Sequence, residues 1–122
     1  MSCWWSPASR RSRAEVTERA RRERAVTVWA RLAVLATAEN RRTGELHHLT
    51  RDGAGPAARA EALRRPAALR EEAAERYEEL AALEPETAGA HHDATAQARD
   101  RAAHDREFAA LLAPQTPPAP VQ

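Results

Sequence analysis

Residues 25–38 read AVTVWARLAVLATA, an apolar run of 14 residues that contains a single charge, Arg31. On a helical wheel centred on Leu32, the other apolar side chains of one wide stripe lie within about sixty degrees of it. They are Ala25, Val28, Trp29, Leu35 and Ala36. The run therefore predicts an amphipathic helix that forms the main core. We expect packing or interaction roles, including self-association, for four of its residues: Val28, Trp29, Leu32 and Leu35.

The same run is not typical of a membrane segment. It is shorter than the roughly 20 apolar residues that a spanning helix needs. It follows a basic region, as the core of an export signal does, but Glu15, Glu18 and Glu23 in that region argue against export. The only cysteine is Cys3, which excludes an internal disulfide and indicates a reducing compartment. We therefore expect a cytoplasmic protein whose apolar run does not span a membrane.

The first predicted helix runs from about residue 13 to residue 42. Thr43-Gly44 should close it, because glycine is the usual residue just past a helix end. Residues 45–55 are then predicted to be a linker, with Asp52-Gly53 as one of its turn signals. Residues 1–12 are expected to form a flexible N-terminal arm.

Two further helices are predicted after the linker. The second region covers residues 57–83 and should be interrupted near Pro66, because proline lacks an amide donor and clashes with the preceding turn. The third spans residues 86–112, and the proline-rich tail at 113–122 is expected to be disordered. The predicted fold class is all-α: a three-helix antiparallel arrangement, or a helical hairpin with an added helix, in one domain over residues 13–112.

Charge is distributed unevenly along the chain. Residues 1–42 carry ten arginines and four acids, a balance of +6, whereas residues 61–86 carry four arginines and eight glutamates, a balance of −4. Opposite signs in successive helices favour antiparallel docking of one helix on the other, or head-to-tail association between copies. Within the second helix, Glu72 and Arg76 stand four residues apart in the favourable order for an ion pair.

Composition predicts helices with a thin core. Thirty of the 122 residues are alanine, the best helix former, whereas leucine, valine and phenylalanine together number sixteen. Alanine buries little area per residue. Packing against a second copy or a protein partner would supply the missing burial, so we expect a homo-oligomer or a protein complex.

The segment REEAAERYEELAALEP, residues 70–85, carries a family-like spacing. A small residue, an aromatic four later, a leucine three later and a proline five later are Ala73, Tyr77, Leu80 and Pro85. This segment resembles the second helix of a tetratricopeptide repeat, over about half a repeat. The resemblance implies stacked helix pairs with a concave peptide-binding surface, a turn between helices at Pro66, and packing roles for Ala73, Tyr77 and Leu80.

The basic N-terminal region is an alternative functional surface. Its candidate phosphate contacts are Arg10, Arg11, Arg13, Arg21, Arg22 and Arg24. Such a cluster can track a nucleic-acid backbone without reading sequence. Interleaved Glu15, Glu18 and Glu23 favour ion pairing within the helix instead. A further alternative is peripheral membrane attachment through Trp4 and Trp5 beside this cluster.

Metal and catalytic chemistry find little support in the residue pattern. Asp93, Gln97, Asp100 and His104 share one helical face, but no established metal-binding motif accompanies them. Cys3 has no histidine fixed beside it, and the four glycines form no phosphate-binding loop. We therefore predict no catalytic residues, no metal and no cofactor. The expected function is helix-mediated protein–protein association, with a nucleic-acid-associated role as the alternative.

Overall fold

The computed structural model describes the backbone of residues 7–113 and the side chains of residues 12–113. Three helices account for nearly all of this part of the chain: α1 at Pro7–Arg51, α2 at Pro56–Leu83 and α3 at Ala88–Leu112. A single 3₁₀ turn, Pro85–Thr87, joins α2 to α3. The predicted all-α fold of three helices is confirmed.

Helix α2 lies between α1 and α3 and runs antiparallel to both. Four interhelical ion pairs show this arrangement: Arg24–Glu79 and Arg31–Glu72 between α1 and α2, and Arg106–Glu71 and Arg99–Glu78 between α2 and α3. In each set, the residue number of the arginine rises as the residue number of its glutamate partner on α2 falls. The acidic helix thus receives arginines from both sides, which is the antiparallel docking that the charge balance predicts.

The first helix is longer than predicted. It passes through Gly44 and continues to Arg51, so residues 45–51 are helix and not linker. Gly53 lies two residues past the helix end, and its φ of 76° lies in the left-handed region that glycine tolerates. There, the amide of Ala54 bonds the Leu49 carbonyl (2.9 Å) and that of Gly53 bonds the Thr50 carbonyl (3.3 Å), a Schellman closure.

Packing explains why the helix continues past Gly44. Leu46, one turn beyond, packs against a second hydrophobic cluster of α2 and α3, formed by Ala60, Leu63, Ala109 and Leu112. Ending the helix at Gly44 would remove Leu46 from this cluster. The burial therefore outweighs the roughly 1 kcal/mol that an interior glycine costs relative to alanine.

Gly44 offers a simple test of this helix. A Cβ added there meets nothing within 4 Å, and the backbone is already helical. Gly44→Ala should therefore stabilise the protein by about 0.5–1 kcal/mol, because alanine loses less backbone entropy on folding. Urea unfolding followed by circular dichroism measures the change. Gly53→Ala is the control and should destabilise the protein, because a side chain at its positive φ is strained. Stabilisation by both substitutions would contradict the assigned helix end.

The predicted interruption at Pro66 is wrong. Helix α2 runs without a break through Pro66, and the tetratricopeptide-type turn expected there does not occur. Pro66 itself is buried, as are Leu63 and Ala67 beside it. Proline cannot bond the carbonyl one turn before it. Burial on both sides of Pro66 holds the helix together despite that lost hydrogen bond. The start of α2 follows the usual pattern, with Pro56 in the first turn after Gly55.

The chain ends were predicted to be flexible, and the structure covers them only in part. Residues 7–12 of the expected N-terminal arm belong to α1, whose proline start needs no amide donor. Residues 1–6, which include Cys3, Trp4 and Trp5, lie outside the described residues, as does the tail from residue 114. Within residues 7–113, no helix has the length and apolar character to cross a membrane.

Candidate interaction surfaces

The apolar stripe of α1 is covered by α2 of the same chain. Ala25, Val28, Leu32 and Leu35 form one buried cluster with Leu80. Leu69, Ala73, Tyr77 and Leu83 of α2 pack against its edge. The structure thus brings together nearly all residues predicted for packing. Because α2 occupies the stripe, the prediction that this face also serves self-association needs a correction: any contact with a second copy must use another surface.

Trp29 is the exception in the stripe, since it stands at the edge of the cluster with 44% of its surface exposed. Its ring meets Tyr77 edge-on, with centroids 6.5 Å apart, and His91 of α3 at 5.6 Å. Its indole Nε1 donates to the Glu84 carboxylate, at 3.2 Å from Oε1. Trp29 therefore links α1 to both other helices.

His91 is buried beneath this aromatic edge and was not predicted to be a core residue. Its Nε2 lies 2.8 Å from Glu84 Oε1 and 3.1 Å from the Thr87 hydroxyl, and its ring stacks on Tyr77. The Nε2 atom of His91 is thereby matched by its neighbours, which makes the residue a structural anchor of α3. The sequence signal for the Glu84–His91 contact was the spacing of seven residues, which is two helical turns. The 3₁₀ turn between the two residues interrupts the helix, so this spacing could not be taken as helical periodicity.

Arg70 of α2 connects all three helices through its ion pairs. Its Nε donates to Glu39 Oε1 of α1 over 2.8 Å, and its Nη1 donates to Asp105 of α3. All three side chains are mostly buried. Burial acts to lower the pKa of Arg70, but the hydrogen bond to Glu39 and the charge of Asp105 raise it above the ordinary arginine value. The charge of Arg70 is matched within the fold.

A small groove separates Trp29 and His91 from Arg70. It has a volume of about 170 Å³, its floor is Ala73 and Tyr77 of α2, and its walls include Leu32 and Ala98. Arg101 and Gln97 stand at its rim. Its lining combines four alanines and Leu32 with polar side chains, and the buried cation among them, Arg70, is already bound by two carboxylates.

Cation pairing on α2 differs from the expected pattern. Glu72 binds Arg31 across the helix interface at 2.8 Å and not Arg76 on its own helix. Arg76 lies near Glu75 and Glu79 instead, at 3.7 Å and 3.6 Å. The interhelical partner wins because Arg31 approaches both carboxylate oxygens of Glu72.

The polar face of α3 does not assemble a metal centre. Asp100 and His104 line one side of a shallow depression with Arg70, Arg101 and Asp105. Two arginines in the same depression oppose the binding of a cation. Across the described side chains, no group of three or more histidine, cysteine, aspartate or glutamate residues could hold a metal ion.

The basic residues of α1 are partly committed to ion pairs. Arg24 binds Glu79 of α2, with Nε 2.6 Å from Oε1, and Arg21 pairs with Glu18 at 3.4 Å. Arg13 and Arg22 are exposed, whereas the side chains of Arg10 and Arg11 lie outside the described part. Two of the four predicted phosphate contacts that the structure describes, Arg21 and Arg24, are therefore already engaged by carboxylates.

The side of α1 opposite the core carries exposed apolar residues. Val26 and Val34 are 68% and 56% exposed, and Ala30, Ala33 and Thr37 lie between and beyond them. We call these five residues the α1 outer face. None of them is charged, and a shallow groove runs along Ala33, Val34 and Thr37 toward Arg41. This surface was not distinguished from the buried stripe at the level of sequence, because residues 25–38 are apolar almost all the way round.

Comparisons with protein-family models, with curated proteins and with solved structures found no match for this chain.

Proposed function

We propose that this protein is a small, non-enzymatic helical module for protein–protein association, including self-association, and that the α1 outer face is its contact surface. The observation that carries the proposal is the exposure of Val26 and Val34 on an uncharged face, opposite the core of the fold. A contiguous apolar patch with polar residues around it is typical of an interaction site.

The energetics favour covering this face. Burying one valine side chain contributes about 1.5–3 kcal/mol, and Ala30 and Ala33 between the valines allow a partner helix to approach closely. The intramolecular core is built largely from alanine and a few leucines, as composition predicts. Association would add burial that the fold itself does not supply.

The nucleic-acid alternative has weaker support. It requires free arginines on one face of the N-terminal part of α1, but Arg21 and Arg24 are engaged by carboxylates. Arg22 is exposed on the same segment. Salt-dependent retention on heparin that persists after the outer face is altered would favour this alternative.

Mass measurement tests the association proposal directly. Light scattering of the wild-type protein should give a mass that rises above the 13.5 kDa of the monomer with concentration. Val34→Asp should return the protein to the monomer, because it places a charge in the contact. Leu111→Asp is the matched control, since Leu111 is also an exposed apolar residue, at 69% against 56% for Val34, but lies on α3. A wild-type mass that stays monomeric at millimolar concentration would contradict self-association.

A further inference from the structure

Charged residues flank the α1 outer face at both ends, and three of them are unpaired. Arg19 and Glu23 precede the face, and Arg41 and Glu45 follow it, on the same side of the helix. Arg19, Glu23 and Arg41 are exposed and form no ion pair with another described side chain. Glu45 contacts only Arg42 of its own helix, at 3.0 Å, and its carboxylate remains accessible.

The order of these charges is symmetric about Leu32 with the sign reversed. Arg19 and Glu45 each stand 13 residues from Leu32, and Glu23 and Arg41 each stand nine residues from it. One pair of apolar positions follows the same symmetry, since Ala30 and Val34 are each two residues away. Two copies of α1 related by a two-fold axis therefore bring opposite charges together at every flanking position.

We propose that the partner of the α1 outer face is a second copy of this chain. The two α1 helices dock antiparallel, and the two-fold axis passes between them at the level of Leu32. This inference rests on the proposed association function and gives it a geometry. Arg19 of one copy faces Glu45 of the other, and Glu23 faces Arg41, which makes four interchain ion pairs per dimer. Ala30 of each copy packs against Val34 of the other.

In the same register, the N-terminal part of α1 also contacts the partner helix. Val16 is 66% exposed on the outer-face side of the helix, and neither α2 nor α3 covers it. It stands 16 residues from Leu32, as does His48, so the two face each other across the dimer. The portion of α1 that projects beyond α2 is thereby covered by the C-terminal end of the partner helix.

Other arrangements of the two helices are disfavoured by charge. A parallel dimer in register places Arg19, Glu23 and Arg41 each opposite its own copy, so that every flanking contact becomes repulsive. Shifting the antiparallel register by four residues brings Glu23 beside Glu45 in one direction and Arg19 beside Arg41 in the other, so like charges meet in both cases. The two-fold arrangement centred on Leu32 is the one in which all flanking charges are matched.

A charge-swap experiment tests this register. Glu23→Arg should weaken dimerisation about tenfold, because two attractive contacts per dimer become repulsive. Arg41→Glu alone should weaken it similarly, and the double variant Glu23→Arg/Arg41→Glu should restore the wild-type dissociation constant. Residues 23 and 41 are roughly 27 Å apart along one helix at 1.5 Å per residue, so restoration can arise only between copies. Sedimentation equilibrium supplies the dissociation constants.

The control for charge alone is Glu107→Arg. Glu107 is exposed on α3 and makes no ion pair with a described residue, so this variant changes net charge equally without touching the contact. It should leave dimerisation unchanged. A dimer that weakens equally in Glu107→Arg, or that the double variant fails to restore, would overturn the register while leaving association itself intact.

A distance measurement tests the antiparallel arrangement independently. His47 is exposed and lies beside the contact and not within it. Spin labels on His47→Cys, in a Cys3→Ser background, should be separated by roughly 45 Å along the helix axis in the antiparallel dimer. A parallel dimer would place them within about 20 Å, since helices pack 8–10 Å apart. A short distance would overturn the proposal, and a monomeric protein would remove the proposed function as well.

Discussion

Replacing Leu80 by Ala should destabilise the protein by about 3 kcal/mol, within the range of 2–5 kcal/mol typical of buried leucines. Leu80 has none of its surface exposed and lies at the centre of the cluster formed by Ala25, Val28, Leu32 and Leu35. The substitution removes apolar burial and leaves a cavity between two long helices, which cannot readily close around it. Urea unfolding monitored by circular dichroism at 222 nm gives the change in free energy.

The expected consequence is large because the core is thin. Small domains are stable by roughly 5–15 kcal/mol, and an alanine-rich core places this protein at the lower end. Leu111→Ala is the matched control, because Leu111 is 69% exposed on α3 and should lose less than about 0.5 kcal/mol. Equal unfolding midpoints for the two variants would mean that Leu80 does not hold α1 against α2.

Much of this core could be predicted because it depends on local periodicity. Val28, Leu32 and Leu35 recur at helical spacing, and Tyr77 and Leu80 do so on the facing helix. Opposite charge balances then predict that the two helices dock antiparallel, as the Arg24–Glu79 and Arg31–Glu72 pairs together show. Such patterns span only one or two turns of helix, so they can be recognised in the sequence without knowledge of the tertiary structure.

The helix ends depend on distant contacts and were therefore predicted less well. Gly44 and Gly53 are equivalent signals in the sequence, and the choice between them depends on whether Leu46 packs against the α2–α3 cluster. Pro66 normally breaks a helix, yet burial of the residues around it keeps α2 continuous. Tertiary packing decided both cases, and a helix-breaking residue alone could not reveal it.

The candidate contact surface was hidden for a different reason. Residues 25–38 are apolar on nearly every side, so a helical wheel identifies the leucine-bearing face as core and gives no separate signal for Val26 and Val34. Only the placement of α2 shows which side remains exposed. The opposite charges of Arg19 and Glu45 can be recognised as flanking a contact surface only when that exposed side is known.

The second large effect is expected from Arg70→Met, which should cost about 2–4 kcal/mol. Arg70 is the cation between Glu39 of α1 and Asp105 of α3, and its side chain is only 16% exposed. Methionine fills a similar space but leaves two mostly buried carboxylates without a partner. Breaking a buried ion pair by removing one member is strongly destabilising, because the remaining charge has lost both water and its counterion. Denaturant unfolding at neutral pH measures the loss.

Arg106→Met distinguishes burial from charge in this comparison. Arg106 also binds a carboxylate across the α2–α3 interface, with Nε 2.7 Å from Glu71 Oε1 and Nη2 2.8 Å from Oε2. That hydrogen bonding holds the pKa of Glu71 below its ordinary value. The pair therefore stabilises the folded state at any pH above the pKa that Glu71 has in the unfolded chain. This stabilisation is lost as the pH falls through the lower pKa that Glu71 has in the folded protein. Both side chains are nearly half exposed, however, and water screens their attraction. We therefore expect Arg106→Met to cost less than about 1 kcal/mol. Similar losses in the two variants would show that Arg70 acts as a surface ion pair and does not join the three helices.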